Sequence, residues 1–486
     1  MKPIKVLFLS AEAAPLVKVG GLGDVAGSLP TALRKLSEGP DVRVCLPLYP
    51  PLKDQDLDLT PRASFQVEAG SGSIPAEAFQ ASVNGVPYYL IDGPPIACSQ
   101  QIYSGYNHQD GVKFSFFSLA ALELTKHIQW KPDILHAQDW HTAPAVYKLS
   151  RIREDESFFK NTRSLLTVHN LPYLGHGTER ALAEFGLPAV EHSALPGWAE
   201  GLPLPLGLLS ADKINTVSPG YAQEMLTQEY GAGLEGFLLT READLSGILN
   251  GLDLESWDPG ADPALPLNFS PDTLERRTEN KLRLQAELGL AVDPGTPLLA
   301  MINRMDYQKG VDLVPEALGG LSHLNWQAVI LGTGDPELER AAQSLEDDYP
   351  QAAAILKYDS SLARRIYGGS DMMLIPSRYE PCGLTQMISM RYGCVPLARA
   401  TGGLQDTIID YHTIHSSQST GFLFQQASAT ALAEAINRAL GVYQDQRRWR
   451  GLQRRGMQID FSWEVSAREY LKLYKELFHS TVNVER

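Results

Sequence analysis

The sequence predicts an α/β protein with two doubly wound, Rossmann-like domains that face a deep cleft. Apolar runs such as 6–9 are short and continuous, which is typical of strands buried on both faces of a parallel sheet. These runs alternate with helix-length segments along most of the 486 residues. A Pro- and Gly-rich stretch near 248–262 interrupts the alternation, and a second series follows. A chain of this length accommodates two large domains.

The first series is predicted to contain a hairpin insertion among its strand–helix units. Strands are expected at 6–9, 42–46, 65–68, 79–83, 86–91, 134–136, 165–168 and 213–217, and helices from the glycines at 20–23 to about 37, at 112–127, at 142–152 and from 219. Asn84-Gly85 predicts a tight turn, so residues 64–92 are interpreted as the hairpin. Residues 170–212, rich in Pro and Gly, predict a long irregular segment.

The second series predicts another parallel sheet. Strands are expected near 297–302, 327–331, 354–357, 371–375 and 394–398, and helices near 273–289, 310–321, 335–348, 360–368, 383–392 and 428–442. A last helix, about 463–478, follows this sheet. We therefore predict three parts of the chain, at 1–250, 251–462 and 463–486. In such sheets the ligand lies beyond the carboxyl ends of the strands.

Composition excludes several classes of protein. The formal net charge of −15 makes the chain a poor candidate for coating a nucleic acid. The four cysteines, Cys45, Cys98, Cys382 and Cys394, are far apart, which argues against a zinc module or a disulfide framework. No apolar run approaches the ~18 residues of a membrane span, and no signal peptide is evident. We expect a soluble, cytoplasmic protein with no nucleic-acid or membrane partner.

A glycine-rich loop provides the first candidate site. Lys18, Gly20 and Gly21 lie in the stretch 18–24, after the first strand and before a helix. Glycines let backbone amides approach an anion at a helix N-terminus, and Lys18 adds a full charge. The alternative is a helix cap with glycines required for packing. The pattern is neither a Walker loop nor the dinucleotide fingerprint.

Two further candidates follow predicted strands of the first series. In the block 136–142, Asp139 can accept hydrogen bonds from sugar hydroxyls and Trp140 can pack on a sugar face. The alternative is that Asp139 or Thr142 caps the helix that follows. His169 and Asn170 follow the strand at 165–168, although a single histidine there is most often part of the core.

The second series carries the charged candidates. Arg304 and Lys309 lie five residues apart across a turn and can converge on one diphosphate. Glu380 precedes a helix whose first amides, near Cys382, Gly383, Leu384 and Thr385, could bind an anion, although it could also merely favour the helix N-terminus. Gly402 and Gly403 follow the next strand and could lie against a nucleotide.

No metal site is predicted. Asp-x-Asp occurs only within 54–58, a polar loop with no strand directly before it, and we interpret it as a solvated charge run. The basic residues at 447–455 are interpreted as an exposed helix face.

Together these stretches closely resemble the bacterial glycogen synthase and plant starch synthase family. The resemblance extends from Val6 to about Leu477 and includes the blocks 18–25, 136–142, 167–170, 247–251, 278–281, 304–310, 331–336, 363–367, 380–386 and 401–407. It implies a B-type glycosyltransferase fold, with the last helix packed back on the first domain. It also implies an acceptor-binding first domain and a nucleotide-sugar-binding second domain.

The implied activity is glucosyl transfer from ADP-glucose, releasing ADP, to the non-reducing end of an α-1,4-glucan (glycogen or starch), with retention of configuration. By motif, Lys18 matches a nucleotide-sugar lysine, and Arg304 and Lys309 match the pair that stabilises the leaving diphosphate. Glu380 matches the family's essential acidic residue. Residues 382–384 match a loop that contacts glucose and phosphate, and Asp139 and His169 match residues around the transferred glucose. No cofactor or metal is implied.

Three positions depart from the family pattern. Leu174 stands where Gln is common, Asn303 where Ser is common, and Lys113 where Arg is usual. Two rival functions share part of the pattern. A sucrose-forming or other nucleotide-sugar transferase would use a small acceptor, and a non-catalytic glucan-binding protein would be expected to lack Glu380, Arg304 or Lys309. All three residues are present.

Overall fold

A computed structural model describes residues 2–70, 72–411 and 417–482, with the side chains of 480–482 left out. The chain divides into two compact units, one formed by Met1–Gly251 together with Trp463–Arg486, and the other by Leu252–Ser462. Among the described residues, no helix is both long enough and apolar enough to cross a membrane.

The first unit is built on one sheet, in which nine strands are described. They are β1 (Lys5–Leu9), β2 (Asp41–Pro47), β3 (Thr60–Ala69), β4 (Gly72–Val83), β5 (Val86–Asp92), β6 (Ile134–Gln138), β7 (Arg163–Val168), β8 (Lys213–Thr216) and β9 (Leu245–Gly247). Their order is β3-β4-β5-β2-β1-β6-β7-β8-β9. The β3–β4 and β4–β5 pairs are antiparallel, and the others are parallel. The apolar residues of β1 and β6 are buried because helices cover both faces.

Helices connect these strands. They are α1 (Gly21–Lys35), α2 (Pro50–Lys53), α3 (Pro94–Ala97), α4 (Asn107–His127), α5 (Asp139–Ile152), α6 (Glu179–Glu184), α7 (Pro203–Ser210), α8 (Pro219–Glu224) and α9 (Glu235–Thr240), with 3₁₀ turns at Gly197–Ala199 and Glu242–Asp244. The segment predicted to be irregular therefore contains α6 and α7. Both helices are too short to show a helical period in the sequence, and α7 also contains prolines.

The predicted tight turn of the hairpin is confirmed. The interpretation of the hairpin as an insertion separate from the parallel sheet is wrong. Asn84 and Gly85 have φ of 51° and 78°, as a tight two-residue turn between β4 and β5 requires. However, β5 also pairs in parallel with β2, so it is a core strand of the main sheet. The apolar run of β5 is continuous because both of its faces are buried.

The second unit has a parallel sheet, in which six strands are described. They are β10 (Leu298–Ile302), β11 (Gln327–Leu331), β12 (Ala352–Ile355), β13 (Met372–Ile375), β14 (Val395–Arg399) and β15 (Phe422–Phe424), in the order β12-β11-β10-β13-β14-β15. All of these pairs are parallel. The sequence did not predict β15, since a three-residue strand carries too little periodicity.

The helices of the second unit surround this sheet. They are α10 (Arg277–Glu287), α11 (Leu313–Gly320), α12 (Pro336–Asp348), α13 (Ser360–Gly369), α14 (Thr385–Arg391), α15 (Gly402–Thr407), α16 (Ala429–Tyr443) and α17 (Gln446–Met457), with 3₁₀ turns at Leu274–Arg276 and Tyr307–Lys309. The basic run lies on α17, whose buried residues include Trp449 and Leu452. The prediction of two doubly wound α/β units is confirmed.

The last helix, α18 (Trp463–Val482), packs against α1, β6 and β7 of the first unit. Its Tyr474 hydroxyl hydrogen-bonds with His136 Nδ1 at 2.7 Å, and its Tyr470 hydroxyl accepts from Asn215 Nδ2 at 3.0 Å. The end of the chain therefore completes the core of the unit in which the chain begins.

Candidate active site

Asp139 lies where β6 ends and α5 begins. The helix starts three residues earlier than predicted, so Asp139 occupies its first position, with a φ of 54° that is uncommon outside glycine. Oδ1 accepts the backbone amide of His169 at 2.7 Å, and the Asn170 amide also hydrogen-bonds with this carboxyl. Burial raises the pKa of Asp139 to about 7 despite those amides. Asp139 thus links the ends of two neighbouring strands.

His169 follows β7 and is held by the residue before Asp139. Its Nε2 lies 2.8 Å from Gln138 Oε1, an acceptor, so Nε2 carries the proton. Burial lowers the pKa of His169 to about 4, and the ring is neutral at pH 7. The Oδ1 atom of Asn170, next in the chain, is buried without a hydrogen-bond partner. Asp139, His169 and Asn170 therefore form one polar cluster at the carboxyl edge of the sheet.

The other two histidines of this region are packed inside the unit. His136 is fully buried between Tyr474 and Thr167, to both of which it hydrogen-bonds. His141 packs against Phe114 and Trp140, and burial lowers its pKa to about 3. His136 is thus a core histidine, as its environment on a central strand requires.

The glycine-rich loop is bound by a carboxylate of the protein itself. Glu12 Oε2 accepts the amides of Val19 at 2.5 Å and Gly20 at 2.9 Å, and Oε1 accepts the Tyr103 hydroxyl. The sequence suggested that amides of this loop bind a ligand anion. In the structure, two of them instead donate hydrogen bonds to the Glu12 carboxylate. Lys18 remains half-exposed, with its Nζ 2.8 Å from Asp24 Oδ1. A Cβ on Gly20 would have no heavy atom within 4 Å, and the same holds for Gly21.

Lys113, one of the departures from the family pattern, has a structural role. Its side chain is fully buried, pairs with Asp110 at 2.9 Å and donates to the Ile102 carbonyl at 2.5 Å. Asp110 in turn accepts the amide of Ser104. This buried pair holds the segment that carries Tyr103, and therefore supports the contact between Tyr103 and Glu12.

In the second unit, Lys309 and Glu380 form an ion pair. Lys309 Nζ lies 2.7 Å from Glu380 Oε2, and the Ser377 hydroxyl donates to the same oxygen at 2.9 Å. Glu380 is 8% exposed. A carboxylate so well buried requires such partners. The structure therefore brings together two of the predicted residues, which are 71 positions apart in sequence.

Arg304 lies on the same loop as Lys309. Its side chain is 67% exposed, and Nε donates to Asp306 Oδ2 at 2.7 Å. The other oxygen of Asp306 accepts the Lys309 amide at 3.1 Å, which caps the 3₁₀ turn at Tyr307–Lys309. Asp306 thus sets the turn that presents both cations.

Arg378 ties this loop to the loop that carries Glu380. Its guanidinium makes two hydrogen bonds to Asp312, at 2.8 and 2.7 Å, and lies 3.6 Å from the centre of the Tyr307 ring. Gly310 has a φ of 69°, and a Cβ there would lie 2.2 Å from the Pro376 carbonyl oxygen. The two loops are therefore packed backbone to backbone.

The remaining predicted glycines serve the fold of this region. A Cβ on Gly403 would lie 2.1 Å from the Cys382 carbonyl oxygen, and the Gly403 amide donates to the Glu380 carbonyl at 3.1 Å. Gly383 has a φ of 76°, and Gln386 donates to its carbonyl. Leu384 is the N-cap of α14, and Thr385 is its first residue. Gly402 begins α15.

Sequence analysis missed three polar residues of the site. Glu12 follows β1 by three residues, Gln138 is the last residue of β6, and Ser377 follows β13 by two residues. All three lie at or just beyond the carboxyl end of a parallel strand, where ligands bind in such sheets. This position could have identified them even though they belong to no recognisable motif. Among the described residues, no group of three or more His, Cys, Asp or Glu side chains could hold a metal ion.

Comparisons with known proteins identify the family. Residues 5–240 match the starch synthase catalytic domain, and residues 289–453 match glycosyl transferases group 1. The chain is 41% identical to glycogen synthase of Moorella thermoacetica, covering 98% of this chain and 97% of that protein. It is 40% identical to glycogen synthase 2 of Geobacter sulfurreducens, covering 97% and 98%.

Solved structures agree with these relatives. The catalytic domain of starch synthase IV from Arabidopsis thaliana, bound to ADP and acarbose, matches with a TM-score of 0.86 and 34% identity, covering 98% of this chain and all of that one. A sucrose-phosphate synthase from Thermosynechococcus elongatus matches at 20% identity with a TM-score of 0.61, which shows the fold alone. The chain therefore belongs to the glycogen synthase and starch synthase family of glucosyltransferases, and it has the B-type glycosyltransferase fold.

Proposed function

We propose that this chain transfers glucose from ADP-glucose to the non-reducing end of an α-1,4-glucan, with retention of configuration. The Lys309–Glu380 ion pair is the observation that carries the proposal, because it holds a cation beside the family's acidic position. The starch synthase IV relative was solved with ADP and acarbose, which supports an adenine nucleotide and a glucan-like acceptor.

The second unit supplies charge for the departing diphosphate. As the bond between glucose C1 and the phosphate oxygen breaks, negative charge grows on ADP and must be stabilised by fixed donors. We assign this role to Lys309 and Arg304, and we assign Lys18 of the first unit to the same donor. Glu380 holds Lys309 in place, and the segment 382–385 with Gly402 and Gly403 shapes the loop around it.

The first unit supplies polar groups for glucose and the acceptor. His169 is neutral, so its ring can exchange hydrogen bonds with sugar hydroxyls. Asp139 fixes the position of His169 through its backbone, and Asn170 has an unsatisfied buried oxygen for a hydroxyl donor. We therefore assign the region 1–250 to the acceptor, 251–462 to the nucleotide sugar and 463–486 to support of the first. We also propose that the protein works in the cytoplasm.

Retention of configuration at glucose C1 is explained most simply if the acceptor attacks C1 on the same face of the sugar ring from which the phosphate departs. The acceptor O4 forms the new bond to C1 as the phosphate oxygen leaves, and the O4 proton passes to that phosphate oxygen. This route needs charge relief on ADP and no protein nucleophile. The Lys309–Glu380 pair is suited to charge relief, since Glu380 Oε2 accepts from Lys309 and Ser377 and so holds the ammonium in a fixed position.

The test is incorporation of radiolabelled glucose into glycogen, with ADP-glucose and UDP-glucose compared side by side. We expect incorporation from ADP-glucose at a higher kcat/KM than from UDP-glucose. Fructose and fructose 6-phosphate are added separately as competing acceptors to test the sucrose-forming alternative. Label in a disaccharide rather than in glycogen would refute the proposal.

A further inference from the structure

Gln138 connects the end of β6 to His169, the first residue beyond β7. Its side chain is fully buried, and its Oε1 lies 2.8 Å from His169 Nε2. The two strands pair in parallel with Gln138 opposite Thr167, so the glutamine lies beside the strand that leads into His169. The contact therefore belongs to the edge of the sheet at which ligands bind.

The backbone of Gln138 is fixed by the helix that follows it. Thr142 Oγ1 donates to the Gln138 carbonyl at 2.8 Å and accepts the Gln138 amide at 2.6 Å. Gln138 is also the N-cap residue of α5. The fold, rather than a ligand, therefore sets the direction from which the carboxamide meets His169.

The carboxamide of Gln138 determines which nitrogen of His169 carries the proton. An amide oxygen only accepts hydrogen bonds, so Nε2 is protonated and Nδ1 of the neutral ring has a free lone pair. Within the part of the chain that the structure describes, no group hydrogen-bonds with Nδ1, and His169 is partly exposed. Nδ1 therefore remains available as an acceptor for a ligand hydroxyl.

The other end of the carboxamide has no structural role. Gln138 Nε2 is buried without a hydrogen-bond partner. A buried donor left unpaired costs about 1–3 kcal/mol, which an apolar side chain at this position would avoid. The bond to His169 is the one hydrogen bond that the described structure gives to the Gln138 side chain. Packing alone therefore does not explain a glutamine here.

We propose that Gln138 is a positioning residue for glucose transfer, because it holds His169 in the tautomer in which Nδ1 accepts from a hydroxyl of the transferred glucose. A glutamine suits this role because its oxygen accepts from Nε2 without adding charge. A carboxylate in its place would favour the imidazolium form, in which both ring nitrogens donate. The inference rests on the proposed function.

Titratable side chains near His169 limit how a pH profile can be interpreted. Asp139 accepts the His169 backbone amide, and His136 and His141 interact electrostatically with His169. Burial lowers the pKa of His136 and His141, so both rings are neutral at pH 7. Asp139, with a pKa raised to about 7 by burial, titrates within the assay range in wild type and variants alike. The test therefore compares the profiles of different variants.

The kinetic test is the pH profile of kcat/KM for ADP-glucose in Gln138→Glu, which keeps the side-chain size and adds a negative charge. A carboxylate beside Nε2 raises the pKa of His169, so the ring gains a proton as the pH falls and Nδ1 then donates instead of accepting. We expect kcat/KM to lie about 3–10-fold below wild type at about pH 6, as loss of one hydrogen bond would cause. It should approach the wild-type value at about pH 9, where the ring is neutral again.

Gln80→Glu is the matched control, because it makes the same substitution at a partly buried glutamine on β4, which three strands separate from β6. Its pH profile should follow that of wild type. Gln138→Leu removes the acceptor without adding a charge, and it should lower kcat/KM by a similar factor at every pH. The inference fails if the Gln138→Glu profile runs parallel to that of wild type, or if Gln138→Leu keeps wild-type kcat/KM.

A spectroscopic measurement separates this inference from the proposed activity. In nitrogen NMR spectra of the full chain with isotopically labelled histidine rings, the His169 signals are identified by their absence from His169→Gln. In wild type they should show a protonated Nε2 and an unprotonated Nδ1, and in Gln138→Leu they should shift toward a mixture of the two tautomers. An unchanged tautomer in Gln138→Leu would overturn the inference even if glucose transfer occurs. Absence of transfer from ADP-glucose by the wild type would instead refute the proposed function.

Discussion

Glu380 acts on its surroundings through one oxygen. Its Oε2 accepts from both Lys309 and Ser377, and the residue is almost completely buried. The carboxylate therefore determines where the Lys309 ammonium lies, and its negative charge balances the positive charge of that ammonium. The functional demand is for position as much as for charge.

We predict that Glu380→Gln reduces kcat by about 10²–10³-fold, as loss of one preorganised electrostatic group does in other enzymes. Glutamine is close in size and can still accept from Ser377, so the melting temperature should change little. Initial rates and thermal unfolding of the same preparation check both expectations. A variant that retains more than half of the activity would contradict the role of Glu380.

Asp139 gives a stability prediction that depends on pH. Its pKa is raised to about 7 from 3.8, with burial as the main cause. Between those values the folded chain holds a proton that the unfolded chain has released, so a rise in pH through this range disfavours the folded state. Above about pH 7 the full cost of the buried charge is present. Below pH 3.8 both states are protonated and the cost disappears.

We therefore expect Asp139→Asn to stabilise the protein at pH 8 by about 1–3 kcal/mol, and by progressively less as the pH falls toward 4. Asparagine can still accept the amides of His169 and Asn170, and it tolerates a positive φ better than most residues do. Melting temperatures of both proteins across this pH range are the measurement. A difference that does not vary with pH would show that burial of the charge is not its cause.

At the scale of elements, two glycines with similar neighbouring residues differ in whether the packing of the protein requires glycine there. Gly403 is packed against the Cys382 carbonyl, whereas a Cβ on Gly20 would meet no protein atom within 4 Å. The φ of Gly20 is −135°, which any residue can adopt. The conformation of the protein thus requires glycine at 403, whereas neither packing nor φ requires it at 20.

We predict that Gly403→Ala lowers both the melting temperature and the activity, because the Cys382 backbone must move and Glu380 moves with it. Gly20→Ala should leave the melting temperature within about one degree and reduce affinity for ADP-glucose, as loss of close backbone approach would. Thermal unfolding and the KM for ADP-glucose separate the two effects. A Gly20→Ala variant with unchanged KM would remove this loop from the donor site.

The elements that sequence analysis predicted correctly are those with long periodic patterns. Strands β1, β10 and β11 have continuous apolar runs because both faces of the parallel sheets are buried. The pattern failed for α6, α7 and α15, which have six to eight residues each and too few turns to show a period. The pairing of β5 with β2 was missed because a hairpin signal reports only local geometry.

The sequence was sufficient to predict individual residues of the site, but it did not predict which of them contact one another. Motifs identified Lys309 and Glu380, but nothing in the sequence indicates that residues 71 positions apart form an ion pair. The Glu12 contact with the amides of Val19 and Gly20 is similarly invisible, since it depends on how the loop after β1 folds back. Tertiary structure alone determines which amides of a glycine-rich loop remain available to a ligand.

At the scale of the whole molecule, the net negative charge of the chain disfavours binding of the proposed donor. The chain carries a net charge of −15, and the diphosphate group of ADP-glucose is also anionic. The attraction that binds it must therefore be local. Lys18 and Arg304 present side chains that are 50% and 67% exposed, and Lys309 is positioned by Glu380. Fixed cations of this kind can neutralise a leaving diphosphate without help from a divalent ion.

We therefore predict that transfer from ADP-glucose persists after dialysis against excess EDTA, with elemental analysis of the dialysed protein to show that divalent metals have been removed. Arg304→Ala and Lys309→Ala should each lower kcat by about 10²–10³-fold. Arg304→Lys should recover only part of the loss, since an ammonium lacks the planar fork that binds two phosphate oxygens.

Arg62→Ala is the charge-matched control for these substitutions. Arg62 is an exposed arginine on β3 of the first unit, outside the candidate site, and its removal changes the net charge by the same amount as removal of Arg304. If local position matters, Arg62→Ala should keep wild-type kcat while Arg304→Ala does not. If net charge alone governed donor binding, the two variants would lose activity equally. Activity that is lost in EDTA and restored by magnesium or manganese would instead place a divalent ion on the diphosphate, and the cations assigned here could then only assist it.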